Sequence, residues 1–244
     1  MEREFWIVDV NTVFGFWPRR KAEISLGKLL SVLEEKHVSR AFTVMTEGVF
    51  YDFVAGNSKT LSACNDHARL LPVATLNPCR WFNVLEEGRR MLGAGVRLFR
   101  FFPQYQEWHI SEAPFRRLVD EVLAPSPAIL MLPAEMGVTA IGDLARSIDN
   151  DIIIDGCRYD KLAELIVVMD EVRNVYVETH KINSPDFIDV IHSEVGIERL
   201  IFGSYSPLAY TGAALSPILH ADLDHEAKGL VLGGNLERLL DGSL

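Results

Sequence analysis

The feature that most constrains this chain is a repeated beat of short β-branched or apolar runs, which return eight times with longer amphipathic stretches between them. The runs are FWIVDV (5–10), AFTVM (41–45), PVATLN (72–77), VRLFRF (96–101), AILML (128–132), IIIDG (152–156), VYVET (175–179) and RLIFG (199–203). Apolar residues recur every three or four positions in SLGKLLSVLEEKH (25–37), WFNVLEEGRRML (81–92), APFRRLVDEVLA (113–124), YDKLAELIVVMDEV (159–172) and SPDFIDVIHSEV (184–195), which is helical spacing. Eight strands with helices as crossovers predict a parallel sheet closed on itself, an α/β fold of the (β/α)8 TIM barrel type. The punctuation agrees: Ser184 can cap a helix that has Pro185 in its first turn, and Gly196 can end it. DHEAKGLVLGGNLERLL predicts a last helix, weakened in the middle by Gly233 and Gly234. An open doubly wound sheet would call for a glycine-rich phosphate loop after an early strand, and DVNTVFGFW has a single glycine.

No linker or low-complexity segment divides the 244 residues, so residues 1–244 are expected to form a single domain. The formal charge of −10 opposes attraction to phosphate backbones, which argues against nucleic acid as a partner. No apolar run approaches the ~20 residues that cross a bilayer, and no secretory leader follows MEREFW, so a cytoplasmic protein with no membrane partner is expected. Cys64, Cys79 and Cys157 are odd in number and lack CxxC spacing, which signals neither a disulfide framework nor a cysteine zinc site. A homo-oligomer remains open.

In such a barrel the chemistry sits where the strands end. Period-two spacing brings Asp9, Asn11 and Val13 to one face of the first strand. Later strand ends supply Arg100, Glu135, Asp155, Arg158, Glu178, His180, Ser204 and Tyr205. His180, Glu178 and Asp9 are the candidate catalytic residues, because histidine transfers protons near neutral pH and a carboxylate can orient it or act as base. For Asp9 a structural hydrogen bond to barrel backbone competes with that role. Asn11, Arg100, Glu135, Asp155, Arg158 and Tyr205 are the candidate substrate-binding residues. Arg100 can anchor a carboxylate with its planar fork, or be tied up in an ion pair with Glu135 or Asp155. Tyr205 can donate to a carbonyl, or fill space. The loop FWPRR brings Trp17, Arg19 and Arg20 to the mouth as a lid, or as a solvated basic turn.

The series DVNxxxG at the first strand, TLNP after the third, GVRLFRFFP at the fourth, NVYVET at the seventh, ERLIFGSYSP at the eighth and GGNLERLL at the end resembles the amidohydrolase-related (amidohydrolase 2) family of barrels. That family includes the decarboxylase of aminocarboxymuconate semialdehyde and various lactonases and hydrolases. The resemblance implies metal ligands that this chain lacks. The HxH of the first strand reads Asn11 and Val13; the histidines of strands five and six fall on Leu132 and Gly156; the aspartate of strand eight is Tyr205. The expectation is therefore a degenerate metal site with no metal and no cofactor. A metal-independent hydrolase or lyase-like protein acting on a small molecule with a carboxylate or carbonyl is expected, with a catalytically inert barrel for ligand binding or complex formation as the alternative.

Overall fold

The computed structural model describes residues 5–18 and 20–240. Its eight strands are β1 (Val8–Phe14), β2 (Arg40–Met45), β3 (Leu70–Ala74), β4 (Leu98–Arg100), β5 (Ile129–Pro133), β6 (Ile152–Asp155), β7 (Val175–Glu178) and β8 (Leu200–Ile201). They pair in sequence order and in parallel. The seam between β8 and β1 is closed by backbone bonds: Val10 N–H donates to the Phe202 carbonyl (3.0 Å), Val13 N–H to Ser206 (2.9 Å) and Tyr205 N–H to Asn11 (2.7 Å). With helices in the crossovers, this is a (β/α)8 barrel.

Alternation along the strands sorts the apolar residues into two layers. Val8, Val10, Val13, Leu98, Met131, Ile153 and Ile201 pack together inside the barrel. Phe99, Leu130, Leu132, Ile154, Val177 and Leu200 face the other way, against helical residues such as Leu29, Leu33, Ile141, Leu165 and Ile188. Period two therefore carries the interior face from Leu98 to Arg100, from Ile153 to Asp155 and from Tyr176 to Glu178, which brings three charged side chains to the mouth. Leu132 belongs to the outer layer, so the strand-five position of the family's histidine does not face the mouth here.

One expectation about β1 is corrected. Asp9 pairs with Ala41 and Thr12 with Thr43, so three steps of β1 oppose two of β2. This bulge inserts one residue and switches faces. Val8 and Val10 point inward with Asp9 turned away between them, and beyond the bulge Asn11 and Val13 point inward. Asp9 therefore does not share a face with Asn11.

All six predicted helices are present, the third continuing from Ala113–Leu118 through a wider turn at Val119–Leu123. The structure adds helices at Phe53–Asp66, Val138–Ala145 and Thr211–His220. Phe53–Asp66 lacks a large apolar stripe because it buries small and polar residues, Gly56, Asn57, Thr60 and Ala63. At Gly56 a Cβ would lie 2.2 Å from the backbone nitrogen of Gly48. Ser184 stands at the predicted N-cap but makes no capping bond through its side chain. The last helix loosens into a wider turn at Leu230–Gly234, and a Cβ at Gly233 would lie 2.6 Å from the Trp6 carbonyl oxygen. Gly233, one of the two glycines that weaken that helix, also lets it approach the segment before β1. No helix among the described residues is long and apolar enough to cross a membrane.

Candidate active site

At the C-terminal ends of the strands Asn11, Arg100, Asp155, Glu178 and His180 form one buried polar cluster. Arg100 donates from Nε (3.0 Å) and Nη2 (2.6 Å) to the same Asp155 oxygen, Oδ2, and from Nη1 to Asn11 Oδ1 (2.5 Å). The Asn11 amide nitrogen faces Glu178 Oε1 (3.0 Å), His180 Nδ1 (3.3 Å) and Asp155 Oδ1 (3.4 Å). His180 Nδ1 contacts both Glu178 carboxylate oxygens and lies 3.2 Å from Asp155 Oδ1. The His180 backbone N–H also donates to Glu178. Gly203 permits the assembly, since a Cβ there would come within 2.9 Å of both Asn11 Cβ and the Glu178 carboxyl carbon.

Two cations thus face two carboxylates, and the shifts follow. Burial alone disfavours the His180 imidazolium, but the charge of Glu178 and hydrogen bonds to Asp155 and Glu178 outweigh it and push the group up to about 9. Burial alone would raise Asp155, yet Arg100 and His180 hold its carboxyl well below the usual carboxylate range. At neutral pH the cluster therefore holds a protonated histidine whose Nδ1–H is fixed by carboxylates. Its Nε2 has no hydrogen-bond partner among the described residues. An imidazolium oriented in this way is suited to give a proton rather than take one.

Tyr205, in a left-handed conformation (φ 59°), covers the cluster. Its ring centroid is 4.8 Å from the Arg100 guanidinium carbon and 5.2 Å from the His180 ring, and Phe102 stacks on the same guanidinium at 4.7 Å. Burial pushes its phenol up, so it is a neutral donor and not a base. Above it lie Trp17, Phe50 and Tyr105.

The remaining candidates lie apart. Asp9 accepts from the backbone N–H groups of Asn11 and Ser204 (both 3.0 Å) and from the Ser204 hydroxyl. Burial pushes its carboxyl up to about 7. Glu135 pairs with Lys181 (2.5 Å) at the rim. Arg158, 71% exposed, lies 3.4 Å from Asp160. Cys157 is buried and its thiol is pushed up to about 12, which leaves no thiolate for nucleophilic work. Of the basic loop, Arg19 lies outside the described residues. Phe50, Phe102, Tyr105 and Gly203 are site residues that sequence reasoning missed. FRFFP and FGS were available as signals only for Phe102 and Gly203.

The expectation that no donor set remains needs qualification: Asp155, Glu178 and His180 each bring one ligand atom within 4.8 Å of the others. The Asn11 amide nitrogen stands between them, 3.0–3.4 Å from one atom of each. Donation by Arg100 to Oδ1 fixes the amide that way round.

No family model and no curated protein matches the chain. Solved structures do. The 5-carboxyvanillate decarboxylase of Sphingomonas paucimobilis superposes with a TM-score of 0.77 at 12% identity, over 98% of this chain and 99% of that one. A dihydroxybenzoic acid decarboxylase from Polaromonas sp. JS666, solved with bound manganese and the inhibitor 2-nitroresorcinol, gives 0.79 at 10% identity, over 98% and 97%. An uncharacterised TIM-barrel protein from Bordetella bronchiseptica gives 0.74 at 14% identity, over 97% and 98%. The barrel expected from the motif resemblance is thus the fold that these proteins share.

Proposed function

We infer that the protein is a lyase-like enzyme of the amidohydrolase-related kind, which removes the carboxylate of a small aromatic acid with its own side chains and without a metal ion. The observation that carries this reading is the buried quartet of Arg100, Asp155, Glu178 and His180 at the strand ends. Burying four charges costs stability that an apolar core would not. They lie where barrel enzymes keep their chemistry. His180 is the general acid: Nε2 gives its proton to the ring carbon that bears the carboxylate, the bond to that carboxylate breaks, and its electron pair returns to the ring as carbon dioxide leaves. Glu178 and Asp155 hold Nδ1–H, and Arg100 with Tyr205 supplies the polar floor. The aromatic cover suits an aryl substrate. The fold shared with two decarboxylases of aromatic acids supports the substrate class. A small-molecule ligand also suits the acidic chain better than a polyanion, and three unpaired thiols suit a cytoplasmic location.

The inert barrel is the second reading, favoured by one observation: each charge of the quartet already has a partner beneath the aromatic cover. Release of carbon dioxide from a panel of hydroxybenzoates separates the two. Turnover is expected for at least one acid and should fall by 100-fold or more in His180→Gln, the size of a lost general acid. An acid that binds at the mouth and is never decarboxylated would establish the inert barrel.

A further inference from the structure

The geometry points to Trp17 as a built-in plug: its indole occupies the slot that takes the aryl ring of the substrate, and the ring must displace it to enter. This rests on the function proposed above and adds the place where the substrate ring binds.

The indole meets three rings edge-on: Phe50 at 4.8 Å, Tyr105 at 5.3 Å and Tyr205 at 5.9 Å, with interplanar angles of 86°, 88° and 89°. A slot walled on three sides by rings in perpendicular contact favours another flat aromatic through quadrupole attraction, and gains less from an aliphatic ring of similar size. Tyr205 is both a wall of the slot and the cover of the Arg100–His180 cluster, so the slot and the cluster share one ring as their common wall.

Trp17 stands outside any helix or strand, its carbonyl accepting a long bond from the Arg20 N–H (3.3 Å). Phe50 and Tyr105 stand on short helices, Glu47–Phe50 and Pro103–Gln106, and Tyr205 is held through its backbone to Asn11. Trp17 lies in the loop between β1 and the helix at Leu26–Glu35. That loop is pinned at its two ends, by Gly15 N–H to the Ile24 carbonyl (2.7 Å) and by a reciprocal pair between the Phe16 backbone and Thr46 Oγ1 (2.8 and 2.9 Å). Next to the pinned Phe16, whose side chain is 63% exposed, Trp17 is 3% exposed. An open surface depression of about 630 Å³ bounded by Phe16, Trp17, Pro18, Arg20, Lys21 and Glu23 lies on the loop side, where a displaced indole would meet solvent. Displacement costs the protein its own ring contacts, so apparent affinity is reduced by the small fraction of molecules that are open.

The test is binding of 2,6-dihydroxybenzoate to wild type, Trp17→Ala and Trp17→Phe by calorimetry, with cyclohexanecarboxylate as the non-aromatic control. Trp17→Ala should bind the aryl acid about tenfold or more tightly than wild type, because the plug is gone, and gain less for the control. Free indole should bind Trp17→Ala and raise its melting temperature. In wild type labelled with fluorotryptophan, the resonance absent from Trp17→Phe should shift on saturation with the acid. Equal affinity of wild type and Trp17→Ala, or binding that leaves the Trp17 resonance in place, overturns the plug. If Trp17→Ala does not fold, Trp17→Phe is read instead, with a smaller gain. Decarboxylation by wild type with no gain in the variant would sink the plug and leave the proposed function standing. A gain in affinity without turnover would establish the plug and remove the catalytic reading.

Discussion

His180 and Arg100 are the two residues on which most of the site's behaviour turns, and each has a measurable signature. The folded pKa of His180, about 9, lies above its ordinary 6.5, so the folded state binds its proton more tightly than the unfolded state does. The resulting stabilisation is complete below pH 6.5 and is lost as pH rises from 6.5 through 9, an effect of about 3 kcal/mol from the size of that difference. Urea unfolding at pH 6 and pH 10 should show this loss in wild type, and His180→Gln should lack it; parallel curves for the two proteins would mean that His180 is not held as the imidazolium. Arg100 is 3% exposed and serves Asp155 and Asn11 together. Arg100→Met leaves Asp155 buried without its cation and should cost about 3–5 kcal/mol. Arg158→Met, at a solvated pair, should cost ~0–1 kcal/mol. Equal costs in denaturation would show that the Arg100 pair is not the buried keystone of the cluster.

At the scale of elements, all eight strands were legible from the beat of apolar runs, because alternation and crossover length are local properties of sequence. Their registers were not. The bulge in β1 depends on the match between Asp9–Thr12 and Ala41–Thr43, which are far apart in sequence, and it alone decides that Asn11 faces Arg100 while Asp9 faces Ser204. The helix Phe53–Asp66 escaped because its buried face is small and polar, chosen by the close approach of Gly56 to Gly48. The site was legible at Asn11, Arg100, Asp155, Glu178, His180 and Tyr205, all at strand ends. Glu135, Arg158, His180 and Tyr205 all lie past their strands, where period two no longer holds; His180 and Tyr205 are turned inward by backbone bonds to Glu178 and Asn11, while Glu135 and Arg158 pair at the rim with Lys181 and Asp160. Glycines separate these cases experimentally. Gly203→Ala pushes a Cβ between β1 and β7 and should destabilise by about 1–3 kcal/mol. Gly27→Ala, with nothing within 4 Å in the helix Leu26–Glu35, should stabilise by about 0.5–1 kcal/mol. Thermal melts that move in the same direction for both would argue against the tight β1–β7–β8 seam.

Across the whole molecule, a backbone that superposes on a manganese-containing barrel with a TM-score of 0.79 carries at its mouth two carboxylates, Asp155 and Glu178, faced by two cations of its own. Where a cation would balance the carboxylates, Arg100 and the protonated His180 supply the positive charge, and the Asn11 amide fills the centre between the three possible donors. A divalent ion entering this mouth would have to expel the His180 proton, turn the Asn11 amide against the Arg100 bond and sit beside a guanidinium in a low-dielectric site. The protein purified without chelators should therefore hold far less than one equivalent of transition metal by elemental analysis, and added manganese should leave its melting temperature unchanged. Removing both occupants, in Asn11→Ala with Arg100→Met, leaves Asp155, Glu178 and His180 converging within 4.8 Å of one another around an open centre. That double variant should gain a manganese-dependent rise in melting temperature that wild type lacks, and His180→Gln introduced on top should remove it. One tightly held zinc or manganese per wild-type chain would show instead that Asn11 and Arg100 give way to the ion, and that the mouth works with a metal after all.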